Sequence, residues 1–237
     1  MNIGRDEALR VLASLRGRLI VSCQARRGQP FDSVDSMVKM AQAAASGGAA
    51  GIRADSPEHV RAIKAAVGLP MIGVYKRRLP GRQAFITLNL EDALEVSEAG
   101  AEIVGIECTF RDDRRKVLPG MVEQLKVRCP SLLMAEISTF AEAAFARSLG
   151  FDLIATTLAG YTEATAYLEG FDYGLLERLV AELGLPVIAE GRLRTPAEAV
   201  AALRRGAYAV VVGKAITMPS EATRWFAEAL RRLTSPQ

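Results

Sequence analysis

The sequence predicts an α/β protein in which eight strand–helix units follow one another along a single chain. Three observations predict it. Short aliphatic runs alternate with amphipathic stretches from residue 19 to residue 233. Four of the amphipathic stretches stop at a glycine followed by an apolar residue: Gly68-Leu69, Gly150-Phe151, Gly184-Leu185 and Gly206-Ala207. Half of the 237 residues are hydrophobic but only 6% are aromatic, so small and branched aliphatics must fill the core, as in buried parallel strands. Eight such units in 237 residues fit the (β/α)8 TIM barrel, whose usual length is about 250 residues.

Taken in order, residues 5–16 read as an extra N-terminal helix and Leu19 to Gln24 as the first strand. Residues 35–46 have helical spacing, and a short second strand runs from Ala50 to Arg53. Ser56-Pro57-Glu58 has the cap and first-turn proline of a helix start. Met71 to Lys76 is the third strand, residues 91–98 a helix, and Ile103 to Glu107 the fourth strand. A helix over 118–128 precedes the fifth strand, Leu132 to Glu136. Ser138-Thr139 caps the next helix, which runs to about Ser148, and Leu153 to Thr156 is the sixth strand. After a long loop over 158–170 come a helix over 172–183 and the seventh strand, Val187 to Glu190. Thr195-Pro196 opens a helix that ends at Gly206, and Ala209 to Val212 is the eighth strand. The last helix passes through Trp225 and Phe226; it either closes the barrel, the preferred reading, or packs against a second copy as a homodimer. Residues 77–90 hold extra material with an apolar Ala84 to Thr87, and the basic stretch Arg111 to Lys116 reads as a solvated loop.

An open doubly wound sheet is the competing architecture. Its glycine fingerprint must follow a strand and open a helix. The Gly47 to Gly51 cluster has the reverse order and reads as a helix stop. No linker, low-complexity tract or charge block divides residues 1–237, which are read as one domain. The net charge of +3 is too small and too dispersed to argue for a nucleic-acid partner. No apolar run is long enough to span a membrane, and arginines interrupt any signal-peptide core. The three cysteines are odd in number and far apart, which argues against a disulfide scaffold and for a reducing, cytoplasmic location.

In a barrel of this kind the chemistry gathers at the C-terminal ends of the strands. Those ends carry Gln24, Arg53, Lys76, Glu107, Glu136, Thr157 and Glu190, followed by Gly191 and the pair Gly213-Lys214. Converging charges are costly to bury unless they pair or meet a ligand, so the set points to a site. The only histidine, His59, falls on a helix expected at the barrel exterior. No His cluster or Cys pair offers a metal site, and Lys76 and Arg53 would compete with Mg²⁺ for the carboxylates. What remains is amine and carboxylate acid–base chemistry beside a carbonyl, with a Schiff base on Lys76 as the open alternative. The loops after strands seven and eight carry Gly191-Arg192 and Gly213-Lys214, positions that often hold phosphate in this fold.

Several motifs then fall in one order: LIVSCQA at 19–25, GGAAGIRA at 47–54, IGVYKR at 72–77, FIT at 85–87, TTLAGYT at 156–162, PVIAEGR at 186–192 and GAYAVVVGKAIT at 206–217. The chain resembles the N-acetylmannosamine-6-phosphate 2-epimerase family over nearly its whole length. The resemblance implies conversion of N-acetylmannosamine 6-phosphate to N-acetylglucosamine 6-phosphate in sialic-acid catabolism, with no cofactor. It implies Lys76 and Glu190 as catalytic residues and Gln24 and Arg53 as substrate contacts. Glu107, Glu136 and Thr157 join the expected substrate-binding set, and Gly191, Arg192, Gly213 and Lys214 the phosphate-binding set. The family usually has aspartate where this chain has Glu107 and Glu136, serine at Ala159, and a small residue at Lys214. Those departures point to a compensated variant or to a relative with a different substrate. The competing readings are a phosphosugar isomerase or Schiff-base aldolase of the same fold, and a phosphosugar-binding regulator without turnover.

Overall fold

Side chains point to alternate faces along each strand, and here that alternation builds two separate packing layers. In the computed structural model, which describes residues 4–25, 28–77, 86–111 and 113–234, all eight strands are parallel and close in sequence order into a barrel. They are β1 (Leu19–Cys23), β2 (Gly51–Asp55), β3 (Met71–Val74), β4 (Ile103–Glu107), β5 (Leu132–Glu136), β6 (Leu153–Ala155), β7 (Val187–Glu190) and β8 (Ala209–Val212). Ile20, Ile72, Ile103, Leu132, Met134, Leu153, Ile188 and Val211 fill the barrel interior. Their neighbours one residue along, including Val21, Met71, Val104, Leu133, Ile154 and Val210, pack outward against the helices.

The helices are α1 (Arg5–Ser14), α2 (Val34–Ser46), α3 (Pro57–Val67), α4 (Leu90–Glu98), α5 (Arg114–Arg128), α6 (Phe140–Leu149), α7 (Tyr173–Glu182), α8 (Pro196–Arg204), α9 (Lys214–Thr217) and α10 (Pro219–Thr234). The extra helix α1 sends Ala8 and Leu12, with Leu15 just beyond it, into the interior cluster and plugs the N-terminal end of the barrel. The four expected glycine stops all have positive φ. Thr139 and Thr195 each form a capping box with the glutamate three residues on, as the cap readings of α6 and α8 anticipate.

Three expectations are corrected. β2 runs two residues past Arg53, to Asp55, because Ser56 N–H still donates to the Val74 carbonyl of the adjacent strand. The helix α5 begins at Arg114 rather than 118, with Pro119 inside it. The basic stretch is therefore no solvated loop: Arg114 is buried and donates to the Glu107 and Leu88 carbonyls. The two aromatics of the last helix part ways: Trp225 is half-buried at the mouth of the barrel beneath the Arg194 guanidinium, and Phe226 faces outward. Phe226 is 75% exposed, and Leu230 and Leu233 beside it are also exposed. Of the apolar stretch Ala84 to Thr87, the first half lies outside the described residues. Ile86 and Thr87 bridge β3 and β4, with Thr87 N–H donating to the Tyr75 carbonyl and Glu107 N–H to the Ile86 carbonyl, both at 2.9 Å.

Candidate active site

The strand ends carry their polar groups into one cleft at the C-terminal mouth. On β2 the inward positions above the apolar layer are Arg53 and, two residues on, Asp55. Arg53 is 1% exposed and lies between two carboxylates, Glu136 of β5 and Glu190 of β7, each at 2.9 Å. Room for this pairing depends on Gly105 of β4. A Cβ there would lie 2.3 Å from Glu136 Oε1 and 2.8 Å from Val74 Cγ1.

Lys76 follows β3, and its Nζ donates to Gln24 Oε1 at 2.6 Å. Gln24 is in turn oriented by donating to Ser22 Oγ at 3.1 Å. The Lys76 main-chain N–H donates to Asp55 Oδ1 at 2.8 Å. The backbone of Glu190 is clasped by Thr156, whose hydroxyl accepts its N–H at 3.1 Å and donates to its carbonyl at 2.8 Å. Buried polar atoms of the cleft lining without a hydrogen-bond partner include Glu190 Oε2 and Thr157 Oγ1. Such atoms are costly to bury, and at a cleft floor they are what a polar ligand satisfies.

The charges shape one another. Burial lowers the proton affinity of Lys76, the Arg53 guanidinium lowers it further, and Asp55 opposes both. Burial pushes the Glu190 carboxyl up to about 7 against the pull of Arg53, with Glu136 adding to the push. Burial disfavours the charge on Arg53 too, but Glu136 and Glu190 outweigh it and hold the guanidinium as a cation. The amine and the carboxyl are thus drawn toward each other in proton affinity, which favours proton transfer by both.

Gln24, Arg53, Lys76, Thr157 and Glu190 line the cleft together with Gly191, Arg192, Gly213 and Lys214. Gly191 has φ 104°, and a Cβ there would lie 3.2 Å from the Thr157 carbonyl oxygen, so a side chain would be strained at this position. The Arg192 guanidinium binds the loop before α7, donating to the Gly160 and Glu169 carbonyls and stacking on Tyr161, with its buried Nε left without a partner. Lys214 Nζ reaches the Tyr161 hydroxyl at 3.4 Å. Two expected substrate contacts stand behind the cleft wall instead. Glu136 is fully buried beneath it on Arg53. Glu107 is equally buried and accepts from Ile86 N–H, Thr109 Oγ1 and Arg111, so it braces the wall that Ile86 and Arg111 form.

Two groups escaped sequence reading. Asp55 was hidden because β2 was ended at Arg53, although the two-residue period puts it on the same face. His59, expected at the exterior, lines the cleft rim at the start of α3, its Nδ1 2.9 Å from the Asp55 carbonyl. Cys23 also lines the cleft, but burial pushes its thiol up to about 12, which keeps it protonated and inert.

The family model described as "Putative N-acetylmannosamine-6-phosphate epimerase" matches residues 37–232. A relative from Caldanaerobacter subterraneus subsp. tengcongensis is 50% identical over 218 residues, covering 91% of this chain and 92% of its own. A second, from Shouchella clausii, is 44% identical over 224 residues, covering 93% and 99%. Both are named "Putative N-acetylmannosamine-6-phosphate 2-epimerase". The solved structure of the N-acetylmannosamine-6-phosphate 2-epimerase from Clostridium perfringens superposes with a TM-score of 0.87 at 38% identity, covering 92% of this chain and 95% of that one. With its fold, its ordered motifs and these relatives in agreement, the chain belongs to the N-acetylmannosamine-6-phosphate 2-epimerase family.

Proposed function

We propose that the protein is a cofactor-independent 2-epimerase that converts N-acetylmannosamine 6-phosphate to N-acetylglucosamine 6-phosphate. One observation carries the reading. Lys76, with its proton affinity lowered, and Glu190, with its own raised, line one cleft together with the Arg53 cation that pairs with Glu190.

The sugar opens to its C1 aldehyde, which makes the C2 proton acidic. Breaking the C2–H bond sends its electron pair into an enolate on the C1 oxygen, and the proton passes to Lys76 or Glu190. Return of a proton to the opposite face of C2 inverts the centre, and ring closure completes the reaction. The Arg53 guanidinium supplies fixed positive charge for the developing oxyanion, with Gln24 and Thr157 as neutral contacts. Glu136 serves by holding Arg53 from below. The phosphate is bound by main-chain N–H groups at Gly191, Arg192 and Gly213, with Lys214 adding charge at the rim. The Arg192 side chain fixes the loop that carries Tyr161 rather than touching the anion. Three free, buried thiols among the described residues suit a reducing compartment, and we place the enzyme in the cytoplasm.

The test is incubation with N-acetylmannosamine 6-phosphate in D₂O, followed by NMR at C2. The wild type incorporates deuterium at C2 of both epimers without carbon–carbon cleavage, and Lys76→Met abolishes the exchange. Full exchange in Lys76→Met would remove Lys76 from the mechanism. Borohydride trapping of a substrate adduct on Lys76 would replace epimerisation with Schiff-base chemistry.

A further inference from the structure

The last inward residue of β2, Asp55, faces the cleft from the strand end next to Lys76 and belongs to no step described so far. Its carboxylate accepts the Lys76 main-chain N–H at 2.8 Å. That bond sits just past the end of β3 at Val74, beside Tyr75, whose N–H donates to Thr87 Oγ1 and whose carbonyl accepts the Thr87 N–H, both at 2.9 Å. The side chain of Lys76 has a polar partner in Gln24, and its main-chain N–H is held by Asp55, while Thr87 holds the carbonyl of the same peptide. Asp55 is itself held: it pairs in register with Val74, and its carbonyl lies 2.9 Å from His59 Nδ1.

We propose that Asp55 is the positioning residue for Lys76, fixing the main chain that carries the amine and supplying the negative charge that offsets Arg53 on the same strand. Strand β2 thus presents opposite charges two residues apart, and the amine answers to both. The other groups acting on Lys76 are Glu136 of β5 and Glu190 of β7, with neutral Gln24 from β1. Those acting on Asp55 are Lys76, Arg53 and His59 of α3. With Asp55 in place, Lys76 gives up its proton less readily than burial and Arg53 alone would dictate. An amine that is too weak a base abstracts a C2 proton poorly, so this charge tunes the step.

The inference rests on Lys76 being the base proposed above, and its test reads Lys76 without needing turnover. The titration of Lys76 is followed by pH-dependent acetylation with acetic anhydride and mass spectrometry of the peptide that contains it. Asp55→Asn keeps an oxygen for the Lys76 N–H and removes the charge. The Lys76 titration moves to lower pH in that variant, and the pH profile of kcat/KM moves with it, while kcat/KM at the new optimum falls by less than about 10-fold. Asp55→Ala loses the oxygen as well, and the misplaced amine costs about 100-fold in kcat with KM little changed. A Lys76 titration identical in Asp55→Asn and wild type overturns the proposal, as does wild-type kcat in Asp55→Ala. A shifted titration in a protein that turns over no hexosamine phosphate upholds the link to Lys76 and sinks only the assignment of the reaction.

Discussion

Glu190 shows how one buried group governs both chemistry and stability. In the folded chain it keeps its proton to about 7, against 4.5 for an ordinary glutamate. Between those values the folded state binds more protons than the unfolded state. This contribution to stability is therefore full below about 4.5 and is lost as the pH rises through about 7. Glu190→Gln removes that dependence, so urea unfolding at several pH values will show a flatter stability profile across this window. The same substitution lowers kcat by about 10²- to 10⁴-fold, the usual worth of a positioned acid or base. Arg53 makes a contrasting prediction. Arg53→Met leaves Glu136 and Glu190 buried without their cation, and unfolding free energy falls by about 3–5 kcal/mol along with activity. Sequence reading could find these residues because each ends an apolar run. It could not tell a residue that lines the cleft from one that braces it. Glu107 and Glu190 look alike at their strand ends, and only three-dimensional packing gives Glu107 to Ile86 and Arg111 while leaving Glu190 Oε2 without a partner.

Strands β4, β5, β7 and β8 match their expected bounds because each is a short apolar run closed by a residue that breaks the run. Where the local signal conflicted with tertiary contacts, the contacts prevailed. Asp55-Ser56-Pro57 has the look of a helix cap, yet pairing with β3 extends β2 through Asp55. Pro119 has the look of a first-turn proline, yet the buried Arg114 draws the helix back a further turn. Glycine in β4 carries a similar tertiary demand. The Gly105 position has no room for a methyl group, since the Arg53–Glu136 pair and Val74 occupy the space. Gly105→Ala will cost about 1–3 kcal/mol by overpacking. Its mark beyond lost stability is reduced kcat in the fraction that remains folded, because the added methyl pushes Glu136 off Arg53; both are read by denaturant titration and steady-state kinetics.

Across the whole molecule, stability and chemistry sit at opposite ends of the barrel. The mouth carries charged, partly unsatisfied groups, and the other end is closed by Leu12 and Leu15 against Ile20 and its neighbours. Leu15, 1% exposed, is a packing residue only. Leu15→Ala will lower unfolding free energy by about 2–5 kcal/mol while kcat and KM, measured well below the new Tm, stay near wild type. A loss of activity at full foldedness would show that the two ends are coupled. The plug has one more effect. A barrel stoppered at its base is a cup rather than a tube, so the incoming sugar and the departing sugar must use the same doorway. Release of one epimer has to precede entry of the next, and each will compete with the other for the empty cup in progress curves run from either direction.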